Sequence, residues 1–147
     1  MKSAVSCHQT NSLHGRSVTG NSDHSILVMD DEKIIRELAA SMLECLSYKA
    51  TTCTKGEEAI ELYRIAKDSG TPYLAVIMDL TIFGGMGGKG AAQQILRIDR
   101  NAKLIVSSGY SDDPVMADHR KYGFRSMLPK PYKISDLAKV LDDLRSL

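Results

Sequence analysis

The segment LAVIMDLTIFGGMGGKG, residues 74–90, begins with five consecutive apolar residues, which run into Asp79 and then into a glycine-rich stretch. A continuous apolar run, unlike one that alternates with polar residues, is typical of a strand covered on both faces in a parallel sheet. We therefore expect a central strand that ends at Asp79. An unpaired carboxylate at the end of a buried strand is energetically costly, so a functional role for Asp79 is favoured over a purely structural hydrogen bond.

Around this segment, short apolar runs alternate with helical periodicity from Ile26 onward, a pattern that predicts βα units. The sequence therefore predicts an α/β fold, a doubly wound five-stranded parallel sheet with five helices. The predicted strands cover residues 26–29, 49–53, 74–78, 102–107 and 125–128.

Apolar spacing predicts a helix after each strand. The first begins near Glu32, and the fourth is a short helix from the turn at Asp113 and Pro114 to Gly123. The first helix is expected to bury one face formed by Ile35, Leu38, Met42 and Leu46. The last helix is expected to bury a stripe formed by Ile134, Leu137, Leu141 and Leu144.

The composition excludes several classes of function. A chain of 147 residues fits one domain of ordinary size. Charged residues make up 25% and the formal net charge is +1, so there is no basic field that would attract nucleic acid or an anionic membrane. The apolar runs are far shorter than the roughly 20 residues that span a bilayer. These features predict a soluble, cytoplasmic protein without nucleic-acid or membrane contacts.

The first 25 residues differ in composition from the rest of the chain. They are rich in Ser, Thr, Asn, Gly and His, with isolated apolar residues that cannot offset the entropy of ordering. They also lack the continuous apolar region of a secretory signal. We predict a flexible polar tail or linker at 1–25 and one folded domain at 26–147.

Polar side chains stand where the predicted strands end. In open parallel sheets, sites lie outside the carboxyl ends of the strands, because the loops converge there. The residues at these positions are Asp30, Asp31 and Glu32 after the first strand, Asp79 after the third, Ser107 and Ser108 after the fourth, and Lys130 between Pro129 and Pro131 after the fifth.

This set of residues suits phosphoryl chemistry. Asp30, Asp31 and Asp79 would repel one another unless they were protonated or bound to a cation, and Mg²⁺ prefers such oxygen ligands. A metal with open coordination positions suits a phosphoryl oxygen, which makes Asp79 a candidate nucleophile toward phosphorus. Lys130 and Ser108 could neutralise and hydrogen-bond further phosphoryl oxygens.

Structural interpretations of the same residues stay open. Asp31 could be the N-cap of the following helix, with Glu32 favoured by the helix dipole. Ser108 and Gly109 form a common turn pair. For Lys130 the local sequence instead favours a functional role, because Pro131 restricts it to extended backbone and holds it on a stiff loop.

The glycine segment does not predict a nucleotide site. Gly85, Gly87 and Gly90 match a dinucleotide fingerprint, but the match does not turn directly off its strand. A phosphate loop is excluded because Phe83 stands at its required first glycine. We expect the glycines, Gly84 included, to let the backbone turn past Asp79 and leave room for a phosphodonor.

Four stretches in this order resemble the receiver domains of two-component response regulators: ILVMDDE (26–32), VIMDLTIFGGMGGKGA (76–91), LIVSSGYSDDPVM (104–116) and MLPKPY (127–132). The resemblance covers about residues 26–147 and is strongest to receivers of hybrid sensor histidine kinases. It implies a flavodoxin-like fold with strand order 2-1-3-4-5.

The resemblance also implies roles for single residues. Asp79 would accept a phosphoryl group from the phosphohistidine of a histidine kinase. Asp30 and Asp31 would bind Mg²⁺ together with Asp79 and the backbone carbonyl of Thr81. Ser108 and Lys130 would contact the phosphoryl group. Such a domain is a phosphoacceptor rather than an enzyme, with only Mg²⁺-dependent self-phosphorylation and dephosphorylation.

In the family, phosphorylation draws the hydroxyl residue and an aromatic side chain inward, which remodels the face of the fourth helix, fifth strand and fifth helix. The corresponding switch region here contains Gly109 and Met127. Met127 stands at the aromatic position, where methionine repacks less distinctly. Phe83 stands where many relatives have proline, so altered loop stiffness is expected.

The expected partners are the phosphodonor domain of a histidine kinase and a histidine phosphotransfer protein, with the chain a monomer or weak homodimer. No output domain follows the last helix in this chain, so the output is expected to be a protein surface, unless the chain is part of a longer hybrid kinase. Two alternatives are a pseudo-receiver that binds partners without phosphorylation and a small α/β enzyme with an aspartyl-phosphate intermediate. The complete set of acidic, hydroxyl and lysine residues argues against the pseudo-receiver.

Overall fold

The computed structural model describes residues 24–80, 86–110 and 113–145. Within these residues the chain forms a five-stranded parallel sheet in the order β2-β1-β3-β4-β5. The predicted fold class and strand order are therefore confirmed, and each strand lies within two residues of its predicted range. The strands are β1 (Ser25–Met29), β2 (Lys49–Cys53), β3 (Ala75–Asp79), β4 (Leu104–Ser108) and β5 (Ser126–Pro129).

The described part of the chain also contains the five α-helices expected from the apolar spacing. They are α1 (Lys33–Cys45), α2 (Gly56–Asp68), α3 (Gly88–Ile98), α4 (Pro114–Ala117) and α5 (Ile134–Arg145).

The prediction of one continuous fourth helix was wrong. The α4 helix is followed by a separate 3₁₀ turn at His119–Tyr122. Asp118, between them, has φ −138° and ψ 60°, outside the helical region. Asp accommodates such a break because its short polar side chain competes for backbone hydrogen bonds. Gly123 ends the turn with φ 94°, a left-handed conformation that favours glycine.

Apolar cores cover both faces of the sheet. Alternate residues of one strand enter opposite cores: Leu27 packs with the side chains of α2, α3 and α4, whereas Ile26 packs with those of α1 and α5. Both residues are fully buried, and full burial of such a side chain stabilises the fold by roughly 1.5–3 kcal/mol. This arrangement explains why the strands are continuously apolar.

The buried face of α1 is centred on other residues than predicted, although the predicted Met42 and Leu46 pack against the same core. Leu38 is 51% exposed, whereas Ala39 and Leu43 are completely buried. The apolar spacing selected Leu38 instead of its neighbour Ala39, because positions three and four residues apart share a helix face equally well. In α5 the predicted stripe is correct apart from its first residue, Ile134, which is exposed.

The described helices include none that is long and apolar enough to cross a membrane. The predicted tail lies outside the described residues, apart from its last two positions. Ser25 already belongs to β1, where it pairs with Lys49, so the sheet begins one residue earlier than expected.

Candidate functional site

The parallel register brings the predicted site residues together at one edge of the sheet. Asp30 directly follows β1, Asp79 and Ser108 are the last residues of β3 and β4, and Lys130 directly follows β5. In register, Asp79 pairs with Ser107 and Ser108 pairs with Pro129. The sheet therefore positions four of the predicted side chains on adjacent strands.

Three carboxylates form a compact group, which we call the acidic cluster: Asp30, Asp31 and Asp79. Each offers an oxygen, and these oxygens all lie within 4.8 Å of one another. Asp30 and Asp79 are buried, with 3% and 5% exposure, and Asp31 is more exposed. Carboxylates this close repel one another unless a cation or proton compensates them. The donor set, hard oxygens with one side open to solvent, fits Mg²⁺.

Lys130 lies between two members of the acidic cluster. Its Nζ atom is 2.7 Å from Oδ2 of Asp30 and 3.2 Å from Oδ1 of Asp79. Burial by itself would lower the pKa of the Lys130 ammonium, but the hydrogen bond to Asp30 and the negative charges of Asp79 and Asp30 outweigh burial and raise that pKa. Lys130 is therefore a charged group at the site. Sequence reasoning predicted its presence there but missed its contact with Asp30.

Two further hydrogen bonds fix Asp30 relative to the start of α1. The backbone N–H of Glu32 donates to Oδ1 of Asp30 at 3.0 Å, and the guanidinium of Arg36 donates to the carbonyl oxygen of Asp30 at 3.0 Å. Glu32 occupies the N-cap position of α1 without a side-chain capping bond. The alternative in which Asp31 caps this helix was therefore wrong. Arg36 was not predicted as a site residue, and its only signal is a position six residues after Asp30.

Two neighbouring serines at the end of β4 make different hydrogen bonds. Both are buried, with 2% exposure. The Ser107 hydroxyl donates to the Leu128 carbonyl at 2.9 Å, across to β5. The Ser108 hydroxyl oxygen accepts from the Tyr110 backbone N–H at 3.0 Å, which closes a turn over Gly109. A hydroxyl that accepts one bond can still donate another, so the predicted turn is compatible with a ligand contact from Ser108.

Two further side chains near Lys130 bear on the predicted switch region. Met127 is 37% exposed and pairs in register with Val106. Tyr132, which sequence reasoning missed, is partly buried against the core that contains α1 and α5. Burial, followed by the negative charge of Asp30, raises the pKa of Tyr132 to about 12. This phenol therefore stays neutral beside the acidic cluster.

The described end of the glycine segment contacts Asp79 closely. A Cβ atom on Gly88, the first residue of α3, would lie 2.8 Å from the Asp79 carbonyl oxygen. Only glycine fits there without a backbone shift, which agrees with the expectation that these glycines serve Asp79. Thr81, Phe83, Gly84 and Gly85, also predicted for this loop, lie outside the described residues.

Over residues 26–142 the chain matches the family model described as the response regulator receiver domain. The chain belongs to this receiver family. The resemblance seen in the sequence is thereby confirmed, and the chain is a receiver domain of two-component signalling. It is 30% identical over 118 residues to the chemotaxis protein CheY of Thermotoga maritima, covering 80% of this chain and 93% of that protein.

Two solved structures show how the receiver domain compares in three dimensions. The receiver domain of a sensor histidine kinase from Pseudomonas aeruginosa, which has a magnesium ion in its active-site cleft, matches with a TM-score of 0.74 and 21% identity, covering 84% of this chain and 98% of that one. The response regulator TrrA of Thermotoga maritima, in complex with Mg²⁺ and BeF, matches with a TM-score of 0.68 and 29% identity, covering 82% and 97%. The likeness to the Pseudomonas receiver shows the fold. The 29% identity to TrrA is close to the 30% identity to the CheY relative.

Proposed function

We propose that this receiver domain accepts a phosphoryl group on Asp79 from the phosphohistidine of a histidine kinase. The observation that supports this most is the position of Asp79. Its buried carboxylate ends the central strand β3, within 4.8 Å of two further carboxylates and 3.2 Å from the Lys130 ammonium. A nucleophilic carboxylate among cation ligands and a fixed positive charge suits attack on phosphorus.

The transfer forms one bond and breaks one. A carboxylate oxygen of Asp79 bonds to phosphorus while the bond between phosphorus and the donor imidazole nitrogen breaks. The electron pair of that bond stays on the nitrogen, and the donor leaves as neutral imidazole when its other nitrogen carries a proton. The product is an acyl phosphate on Asp79, so the chain acts as a phosphoacceptor without an external substrate to turn over.

The acidic cluster would hold the Mg²⁺ ion, with the Thr81 backbone carbonyl as a further ligand. When bound, the cation supplies positive charge that offsets the carboxylates and the phosphoryl oxygens. The Lys130 ammonium would bind one phosphoryl oxygen and the Ser108 hydroxyl would donate to another. Two of the three carboxylates are buried, and the single charge of Lys130 does not balance all three, which favours this occupancy.

The output would be a change in the face formed by α4, β5 and α5. Met127 pairs with Val106, and two residues further along the same strands Ser108 pairs with Pro129. A shift of the Ser108 hydroxyl toward a phosphoryl group would therefore change the space available to Met127. The partners we propose are the phosphodonor domain of a histidine kinase and a histidine phosphotransfer protein, in the cytoplasm. Attachment to a hybrid histidine kinase is an extension of the same proposal.

The test uses acetyl phosphate as the phosphodonor and intact mass spectrometry as the readout. We expect one added phosphoryl group in the presence of Mg²⁺, and none in Asp79→Asn or after treatment with EDTA. A folded wild-type protein that gains no phosphoryl group from acetyl phosphate or a phosphorylated kinase would overturn the proposal in favour of a pseudo-receiver. Turnover of an external phosphorylated metabolite would favour the enzyme alternative.

A further inference from the structure

Asp30 is fixed through all of its polar groups, and two of these contacts come from side chains outside the acidic cluster. Its backbone N–H donates to the Cys53 carbonyl at 3.1 Å. Its Oδ1 accepts from the Glu32 backbone N–H, and its Oδ2 accepts from the Lys130 ammonium. Its carbonyl oxygen accepts from Nη1 of Arg36 at 3.0 Å. Arg36 is the only one of these partners that reaches Asp30 by a side chain from α1.

The carbonyl that Arg36 holds belongs to the peptide unit between Asp30 and Asp31. A peptide unit is planar and rigid, so its orientation sets the direction in which both residues project their carboxylates. Arg36 is anchored in the first turn of α1, where its own backbone N–H donates to Glu32 at 3.0 Å. The guanidinium is planar and permanently charged, which makes it a stiff donor to a carbonyl.

We propose that Arg36 is a positioning residue for the acidic cluster: by holding the Asp30–Asp31 peptide it keeps both carboxylates in the arrangement that binds a divalent cation. The inference rests on the proposed function, in which Mg²⁺ is bound by these carboxylates. Arg36 does not touch the cation or the phosphoryl group in this role. It acts through the backbone of Asp30.

A purely electrostatic role for Arg36 predicts the opposite result. A positive charge next to a cation site weakens cation binding, so its removal alone would raise the affinity for Mg²⁺. Loss of positioning lowers that affinity, and removal of a group that orients a metal ligand typically weakens binding by about 10-fold to 100-fold. The sign of the change therefore separates the two roles.

The experiment measures Mg²⁺ affinity by isothermal titration calorimetry for the wild type, Arg36→Met and Arg36→Lys. Lys33→Met is the matched control, because Lys33 lies on the same helix and its side chain is exposed, 3.9 Å from Glu37. We expect affinity to fall about tenfold in Arg36→Met, to fall less in Arg36→Lys, and to stay equal or rise slightly in Lys33→Met. Equal or tighter binding by a folded Arg36→Met variant would overturn the inference.

A second readout distinguishes a positioning role of Arg36 from a purely stabilising role and from failure of the proposed function. In cation-free protein, the Asp31 amide resonance should shift in Arg36→Lys, while Lys33→Met leaves it in place. A variant that is less stable to urea but has unchanged affinity and an unchanged Asp31 resonance would show a structural role only, which contradicts positioning. If the wild type itself binds no Mg²⁺, the proposed function fails, and the Asp31 resonance alone decides whether Arg36 fixes this peptide.

Discussion

The Lys130 ammonium lies closer to Asp30, at 2.7 Å, than to the candidate phosphoacceptor Asp79, at 3.2 Å. All three side chains are largely buried, so neither carboxylate is compensated mainly by water. Lys130 therefore serves as a counter-charge of the acidic cluster. A cation bound by the same carboxylates would take over that task and leave Lys130 available to a phosphoryl group.

The first prediction concerns this exchange of counter-charges. Lys130→Met should lower the free energy of unfolding in EDTA by about 3 kcal/mol, because it removes the ammonium that compensates the charges of two buried carboxylates. Mg²⁺ should restore much of that loss and should bind more tightly than to the wild type. Urea unfolding with and without Mg²⁺ measures both effects. The control is Lys133→Met, an exposed lysine three residues away. An equal loss with and without Mg²⁺ would contradict this exchange.

The second prediction concerns the glycine that approaches Asp79. Gly88→Ala would place a Cβ atom 2.8 Å from a backbone oxygen that cannot rotate away. We expect a loss of about 1–3 kcal/mol in unfolding free energy, as for other overpacked sites. Gly109→Ala is the matched control, since nothing lies within 4 Å of its added Cβ. Urea denaturation measures the stability of the two variants. Equal stabilities would mean that the Asp79 backbone shifts away from the added Cβ atom without a loss of free energy of unfolding.

Much of this fold could be predicted because its signals are local. Continuous apolar runs identify strands that are covered on both faces, and polar residues directly after them identify the site edge. That reasoning found Asp30, Asp79, Ser108 and Lys130, which the structure brings together. It depends only on the direction of each strand and on the identity of the residues at its carboxyl end.

The features that were missed depend on how elements meet in space. Apolar spacing could not decide between Leu38 and Ala39, because the rotation of α1 against the sheet selects the small residue for the close contact. The bond from Arg36 to the Asp30 carbonyl depends on a side-chain rotamer that no periodicity reports. The break at Asp118 precedes a turn closed by contacts that the apolar spacing does not report: Phe124 is 1% exposed, and its backbone N–H donates to the His119 carbonyl.

The third prediction concerns stability at alkaline pH. The Tyr63 hydroxyl donates to Asp99 at 2.7 Å. Burial, and then the hydrogen bond and charge of Asp99, raise the pKa of Tyr63 in the folded state. An unfolded tyrosine ionises near pH 10, so the stability from this group is fully present below about pH 10 and is lost as the pH rises further.

The comparison is between the wild type and Tyr63→Phe. At pH 8 the variant should be less stable by about 1.5 kcal/mol, the value of a hydrogen bond to a charged acceptor. Between pH 10 and 11 that difference should shrink, because only the wild type loses stability through Tyr63. Cys53 and Tyr132, whose pKa values burial also raises, titrate in both proteins and cancel. Urea unfolding across this pH range provides the measurement, and a constant difference would mean that Tyr63 does not titrate on unfolding.

The last prediction separates the two serines of β4. Ser107→Ala removes the donor to the Leu128 carbonyl in a buried position, so it should lower the unfolding free energy by about 1–3 kcal/mol while the rate of phosphorylation changes little. Ser108→Ala removes the buried hydroxyl at the carboxyl end of β4, which accepts from the Tyr110 amide next to it. It should slow phosphorylation by acetyl phosphate by about tenfold, as expected for the loss of one hydrogen bond to the transferring group.

Both quantities are measured on the same two variants, by urea denaturation and by the time course of the added phosphoryl mass. The two serines are equally buried and adjacent in sequence, so general disturbance of β4 would affect both readouts in both variants. The expected result is a crossed pattern, in which Ser107→Ala loses mainly stability and Ser108→Ala loses mainly rate. The reverse pattern would assign the phosphoryl contact to Ser107, which pairs in register with Asp79.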